Sequence, residues 1–419
     1  MSTPPIPTPT TQPTHQNTPV SMFKRLLTSK ISLLTGLLLT VVSVYPYLFT
    51  DNGSIHRKFD LTIYYLAVKN WLHTGELYQW TLPPDHIYGF TYPPFAAIAF
   101  APMTAFPNEY ALAIFFTLLN WAALITVLFL VFRYLRYAPR TGWALTFWAV
   151  PFTLLTLPVH SNMMMGQINM FLLLLIIFDA LVLSGTRFSG ITAAIAASIK
   201  MTPAVLIIYF IAKRDWAGTI RFVSTGIILI GLSFVIHAHT AWEFFTHTVF
   251  ESSRVGAIQE PLSFNIMGEV SRIFPQPFNA LAYAVVAIPL IVTCYLSLRV
   301  LVQQKQELGS ICVAGFLMLM ISPISWNHHW VWIIPALIYC VVQGYRTQDS
   351  VLLYLAVAGS VLFTYRFEAW FSGHHWQIGE WSLYAVAMHA LPELWTIAFI
   401  AYPWWKARQW QATPQAVSA

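Results

Sequence analysis

Apolar runs of about 20 residues recur along the chain, separated by short polar or proline-bearing breaks. Each full-length run can cross a hydrocarbon core roughly 30 Å thick as a helix. The pattern predicts spans at 31–50, 110–132, 143–159, 167–184, 189–199, 203–212, 217–238, 277–299, 309–322, 329–344, 350–366 and 381–403. The two shortest, 189–199 and 203–212, read as a helical hairpin tipped by Lys200, Met201, Thr202 and Pro203. Helices are expected because unpaired backbone amides are too costly in lipid, and the alternation of a transmembrane β-barrel is missing. The expected fold is therefore an all-α polytopic membrane protein with about 12 transmembrane segments and both termini in the cytoplasm.

Between the first two spans, residues 51–91 turn polar and aromatic and predict a long outward loop, with Phe59 to Leu72 as an interfacial helix. The stretch 93–106 is apolar but short and proline-bounded, so a re-entrant or surface-lying segment is expected. Residues 1–22 form a Pro/Thr/Gln tract too poor in apolar surface to fold, and read as a disordered cytoplasmic tail. A single polytopic domain is expected over 23–408, followed by a cytoplasmic tail at 409–419.

Composition points the same way. Charged residues make up 9% of 419 positions and hydrophobic ones 57%, too little charge to coat a soluble surface of this size. The net charge of +6 sits in short loops between apolar runs, which excludes a nucleic-acid-binding face. With 93–106 not counted as a span, about two-thirds of the Lys and Arg residues, including Arg133, Arg136 and Arg140, fall on the predicted inside. Acids and histidines show the reverse bias, which concentrates polar chemistry on the outer side. Cys294, Cys312 and Cys340 lie in apolar runs and read as small core residues.

Several outer groups are candidates for chemistry. Asp60 follows Arg57 and Lys58 at the start of the amphipathic stretch; it reads either as a general base for a hydroxyl or as a helix N-cap. Lys200, between two apolar segments, suits a lipid phosphate or snorkels to the interface. In the stretch Ser325 to Trp330, His328 and His329 suit a phosphate or a hydroxyl, and Trp326 a sugar face or the interfacial belt. The pair His374 and His375 is a similar, weaker feature. Gln167 and Asn169 stand at an outer helix entrance, where they would bond a substrate or a neighbouring helix. Glu260, Asn265 and Arg272 enrich an outer loop, and Asp179 reads as structural. No metal-ligand spacing such as HExxH or CxxC occurs, so no metal is expected. No Walker A or soluble nucleotide domain is seen, which argues against ATP-driven transport and nucleotide-sugar chemistry.

Taken in order, Asp60 with Tyr64, Gly75 with Leu77 and Tyr78, and Tyr92-Pro93-Pro94 resemble the opening loop of the polyprenyl-phosphate-mannose-dependent α-(1→2)-mannosyltransferases of the GT-C superfamily, glycosyltransferase family 87. Gly166 to Asn169, Lys200-x-Thr202-Pro203 and Ser325-Trp326-x-His328-His329 continue the resemblance over about residues 55–345. In the later outer loop this chain has Ser263-Phe264-Asn265 before Gly268 and Arg272, where the family often has an Asn-Gln-Ser-Leu-like element. The resemblance implies a GT-C type helical bundle and an inverting transfer of mannose from a polyprenyl-phosphate donor to a hydroxyl of a lipid-anchored mannan or phosphoinositol-mannoside glycolipid. Asp60 is then the expected base, with Lys200, His328 and His329 for the donor phosphate. Tyr64, Tyr92, Gln167, Asn169, Asn265, Arg272 and Trp326 are the expected substrate contacts, and no cofactor is implied. The expected location is a bacterial plasma membrane with the site on the extracytoplasmic side. A sugar or lipid transporter or flippase, a polyprenyl-phosphate-arabinofuranose enzyme, and an inactive membrane subunit are the competing readings.

Overall fold

The structure is a computed structural model and describes residues 24–50, 53–84, 86–251, 254–364 and 383–412. The tail at 1–22 and the pair His374 and His375 lie outside the described residues. Among those residues the chain is helical throughout, with only isolated β-bridges between extended segments.

Among the described residues, four helices are long and apolar enough to cross a membrane: Lys30–Leu48, Glu109–Tyr134, Trp216–Ile236 and Phe278–Gln303. Their apolar side chains are widely exposed. Leu281, Val285, Ile288 and Val292 recur at helical spacing on the outside of Phe278–Gln303, as a lipid-facing stripe requires. The opposite case is Glu307–Met320, in which every residue from Leu308 to Met320 is buried. That helix forms the centre of the bundle and packs against Phe278–Gln303, Ile333–Thr347 and Leu391–Ala412.

The other predicted runs are broken into shorter elements. Helix Pro139–Thr153 stops six residues before the predicted 159, and a new helix, Leu157–Met165, starts with Pro158 in its first turn. Proline is tolerated there because its missing amide hydrogen would have no helical partner. After Gly166 the chain bends by 118° into Asn169–Leu183, the shape of a broken span or of a re-entrant loop. The expected hairpin is present as Ile191–Ile199, the 3-10 turn Thr202–Leu206 and Ile207–Lys213, with Lys200 extended between them. The segment 93–106 forms the short helix Pro94–Phe100 and a 3-10 turn, Ala101–Ala105. The last helix, Leu391–Ala412, runs past residue 408.

Contacts gather the basic loops at one end of the bundle. The Tyr134 hydroxyl donates to the carbonyl of Lys305, Arg346 donates to the carbonyl of Leu135, and Lys213 pairs with Glu307 at 2.7 Å. Asp179 belongs to this scaffold: its carboxylate accepts from the amides of Gly190 and Ala193 and the hydroxyl of Thr192, and so starts helix Ile191–Ile199. The elements bearing Asp60, Lys200 and His328 meet away from this basic end.

Candidate active site

Helix Phe59–Thr74 supplies the acid. Its N-cap is Lys58, so Asp60, in the first turn, makes no cap and leaves its carboxylate for other partners. The helix packs more deeply than a surface helix, burying Leu61, Tyr64, Tyr65, Val68 and Trp71. Gly166 fixes its distance from the bent pair Leu157–Met165 and Asn169–Leu183. That residue is left-handed, with φ +70°, and a Cβ there would lie 2.7 Å from Lys58 Cβ and 2.9 Å from Leu61 Cβ. Only glycine combines this turn with so close an approach, and the next residue, Gln167, is thereby brought against Asp60.

Gln167 is oriented by its neighbours. Its Oε1 accepts from the hydroxyls of Tyr64 (3.1 Å) and Tyr92 (3.3 Å) and from Asn169 Nδ2 (3.3 Å). With the oxygen side occupied, the amide group is left toward Asp60 and acts to lower the pKa of its carboxyl. Burial nevertheless dominates the acid: desolvation raises Asp60 from 3.8 to about 6, against the lowering effect of Gln167 and the positive charge of Lys200.

Lys200 is the matching cation. Its Nζ donates to Asn169 Oδ1 at 3.0 Å and to His329 Nε2 at 2.7 Å, and sits 5.5 Å from the centre of the Tyr92 ring. An ammonium has no acceptor, so in this contact His329 is a neutral ring with its proton on Nδ1. Desolvation lowers Lys200 to about 7, while the nearby Asp60 carboxylate acts to raise it. His328 stacks edge-on to His329 at 4.8 Å, and its buried Nε2 has no hydrogen-bond partner. The 3-10 turn carrying both rings, Asn327–Trp332, packs on Leu157–Met165, where the Ser161 hydroxyl donates to Asn327 Oδ1.

These groups line one cavity of about 630 Å³, which includes Asp60, Tyr64, Tyr92, Gln167, Lys200, Trp326, His328 and His329. Asn169 reaches it through Lys200. Trp326 is pressed against Gly256, where a Cβ would lie 2.7 Å from the indole. Two expected contacts do not reach the cavity. Asn265 is fully buried as the N-cap of helix Ile266–Ile273, accepting from Gly268 N and donating to Ser263 Oγ. Arg272 is turned into the protein, onto Glu269 and the carbonyls of Gln259, Glu260 and Ser263. In exchange the cavity gains Arg254, which donates to the carbonyl of Tyr78. No motif in the sequence marks Arg254, because its proximity depends on how 254–263 folds back across Tyr78.

One acid opposite an ammonium and two imidazoles, in a space sized for a sugar and a phosphate, suits proton removal on one side and stabilisation of a leaving anion on the other. Comparison with known proteins supplies the family. Three curated relatives cover similar shares. A polyprenol-phosphate-mannose-dependent α-(1-2)-phosphatidylinositol mannoside mannosyltransferase of Mycobacterium tuberculosis is 32% identical over 327 residues, 74% of this chain and 76% of its own. The protein of the same name in Mycolicibacterium smegmatis is 29% identical over 335 residues, with the same shares. A phosphatidylinositol pentamannoside mannosyltransferase of Mycobacterium tuberculosis is 30% identical over 319 residues, 73% of this chain and 72% of its own. No solved structure matches. The profile of glycosyltransferase family 87 matches residues 90–323, which spans the proline-rich turn after Tyr92, Gln167 and Lys200, and the chain belongs to this family of membrane glycosyltransferases.

Proposed function

We propose that the enzyme transfers mannose from polyprenyl-phosphate-mannose to a hydroxyl of a phosphatidylinositol-mannoside type glycolipid, forming an α-(1→2) linkage with inversion. The observation that carries this reading is the shared cavity in which Asp60 faces Lys200 and the His328–His329 pair. The names of the relatives supply the sugar, the donor class and the acceptor class.

In this mechanism the acceptor hydroxyl gives its proton to Asp60 as its oxygen attacks C1 of the mannosyl group. The bond from C1 to the phosphate oxygen breaks, and its electron pair leaves with polyprenyl phosphate. Attack opposite the leaving group inverts C1. The phosphate gains one negative charge in this step, and Lys200 and the unpartnered His328 Nε2 face it. A lipid-phosphate donor also agrees with the lack of a nucleotide-binding motif in the sequence. The bias of basic residues toward the opposite end of the bundle supports an extracytoplasmic site in a bacterial plasma membrane.

The test is transfer by purified protein from labelled polyprenyl-phosphate-mannose, polyprenyl-phosphate-arabinofuranose and GDP-mannose to a panel of inositol mannosides. Turnover is expected with the first donor alone. Equal or greater turnover with either of the others would overturn the donor assignment.

A further inference from the structure

A second group of titratable side chains lies outside the cavity, where the outer-loop helix Ile266–Ile273 meets the start of Leu391–Ala412. Glu269, His389 and Glu393 bring one ligand atom each to within 4.8 Å of one another. His389 Nε2 lies 2.6 Å from the carbonyl of Pro261, an acceptor, so that nitrogen carries a proton. Its Nδ1 lies 2.5 Å from Glu269 Oε1 and 3.1 Å from Arg272 Nη1, so it shares a proton with the carboxylate when the ring is charged and offers a lone pair when the ring is neutral. Metal-binding histidines show this pattern, with one nitrogen tied to a backbone carbonyl and the other turned to the ion.

Glu393 is the independent observation. It is only 3% exposed, and both carboxylate oxygens are buried without a hydrogen-bond partner; Glu269 Oε2 is in the same state. Three carboxylate oxygens without a hydrogen-bond partner therefore belong to this one cluster. Arg272 bonds Glu269 but leaves these three unanswered. A single proton settles at most a pair of them: shared between the two carboxyls, or placed on His389, it leaves at least one Glu393 oxygen bare. Uncompensated buried acceptors of this kind are costly.

We propose that Glu269, His389 and Glu393 bind a divalent transition-metal ion of the zinc class. One imidazole and two carboxylates, with no thiolate, suit zinc or manganese. The site is structural, and its connection to the cavity is direct. Arg272 and His389 hold the carbonyls of 259–263. That segment then pairs with the chain leading into His328: Phe264 N donates to Ser325 O at 2.8 Å and Asn327 N to Leu262 O at 2.7 Å.

The experiment uses the full chain, purified in detergent without an affinity tag, stripped with chelator and reloaded with ZnCl2 or MnCl2. Metal content by mass spectrometry and thermal unfolding are read for wild type, Glu393→Gln and His389→Ala. The expected result is about one metal per wild-type chain, a Tm several degrees higher than the stripped protein, and loss of both responses in either variant. Glutamine mimics a protonated Glu393. A wild type that takes up no metal, or a Glu393→Gln protein that binds it as wild type does, overturns the proposal. Wild-type stoichiometry alone decides the matter if the variants fail to fold.

Discussion

Asp60→Asn separates catalysis from folding in a way few substitutions do. Asparagine keeps the shape of the side chain and the partner Gln167 but cannot take a proton. Loss of a general base costs about 10²–10⁴ in rate, or about 3–5 kcal/mol of transition-state stabilisation. Stability moves the other way. The acid rises from 3.8 to about 6 on folding, so the folded state disfavours its charged form. That penalty is absent below pH 3.8, grows as pH rises, and is complete above about pH 6. The shift corresponds to ~3 kcal/mol as an upper bound, and on the order of 1–2 kcal/mol after allowing for the partial exposure of the side chain. At neutral pH the variant should therefore unfold at the same temperature as wild type or a higher one, while mannosyl transfer from the labelled lipid donor falls at least a hundredfold. Thermal unfolding followed by tryptophan fluorescence, together with product counting on the same preparation, measures both. Wild-type turnover removes Asp60 as the base; a variant that loses stability along with activity makes it a structural residue.

Other outcomes follow from the same geometry. Because Asp60 must be ionised and Lys200 protonated, kcat/KM should rise with pH through about 6 and fall through about 7, a narrow bell; Lys200→Arg, which stays charged, should extend the high-pH side, and an unchanged profile would exclude Lys200 from that limb. Gly166→Ala forces a side chain into a left-handed position and against Lys58 Cβ, so at least ~1–2 kcal/mol of stability should be lost and turnover should drop as Gln167 shifts, both read on purified protein. Asp179→Ala removes the acceptor of three hydrogen bonds at the basic end; it should cost about 2–4 kcal/mol in chemical denaturation while kcat/KM per folded molecule stays at the wild-type value.

How much of this was legible in the sequence depends on which signal a residue leaves. Asp60 is ambiguous in the sequence because an acid at the start of a helix serves equally as a cap or as a base; the backbone removes the capping role by placing the cap at Lys58. Lys200 and the histidines stood out because polar groups between apolar runs are expensive and so have a purpose. Asn265 and Arg272 were misplaced for a related reason: outer-loop polarity looks the same whether it faces a cavity or an internal contact. A clue was present in Asn265, three residues before Gly268, which is the spacing of an N-cap. Hydropathy found the helical segments but overran their breaks, since Leu154, Leu155 and Leu157 are as apolar as the helices they separate. Glu393 stands as an acid inside the predicted run 381–403, but nothing in the sequence names its partners, which lie more than a hundred residues away along the chain or beside it on another helix.

The charge balance of the cavity gives the proposed chemistry its direction. Without substrate, Asp60 and Lys200 are both pulled toward their neutral forms by burial, and each is held in its charged form partly by the other. A donor phosphodiester brings one negative charge. Beside Lys200 it favours the ammonium and moves the upper limb of the bell toward higher pH; the same charge disfavours ionised Asp60. The site answers the second effect through Gln167, whose oxygen is occupied by Tyr64, Tyr92 and Asn169 and whose amide group is left to favour the ionised carboxylate. As the phosphate leaves with its extra charge, attraction to Lys200 strengthens at the moment Asp60 becomes neutral. The two side chains thus exchange their dependence on each other for dependence on the departing lipid phosphate, which stabilises the transition state more than the bound donor.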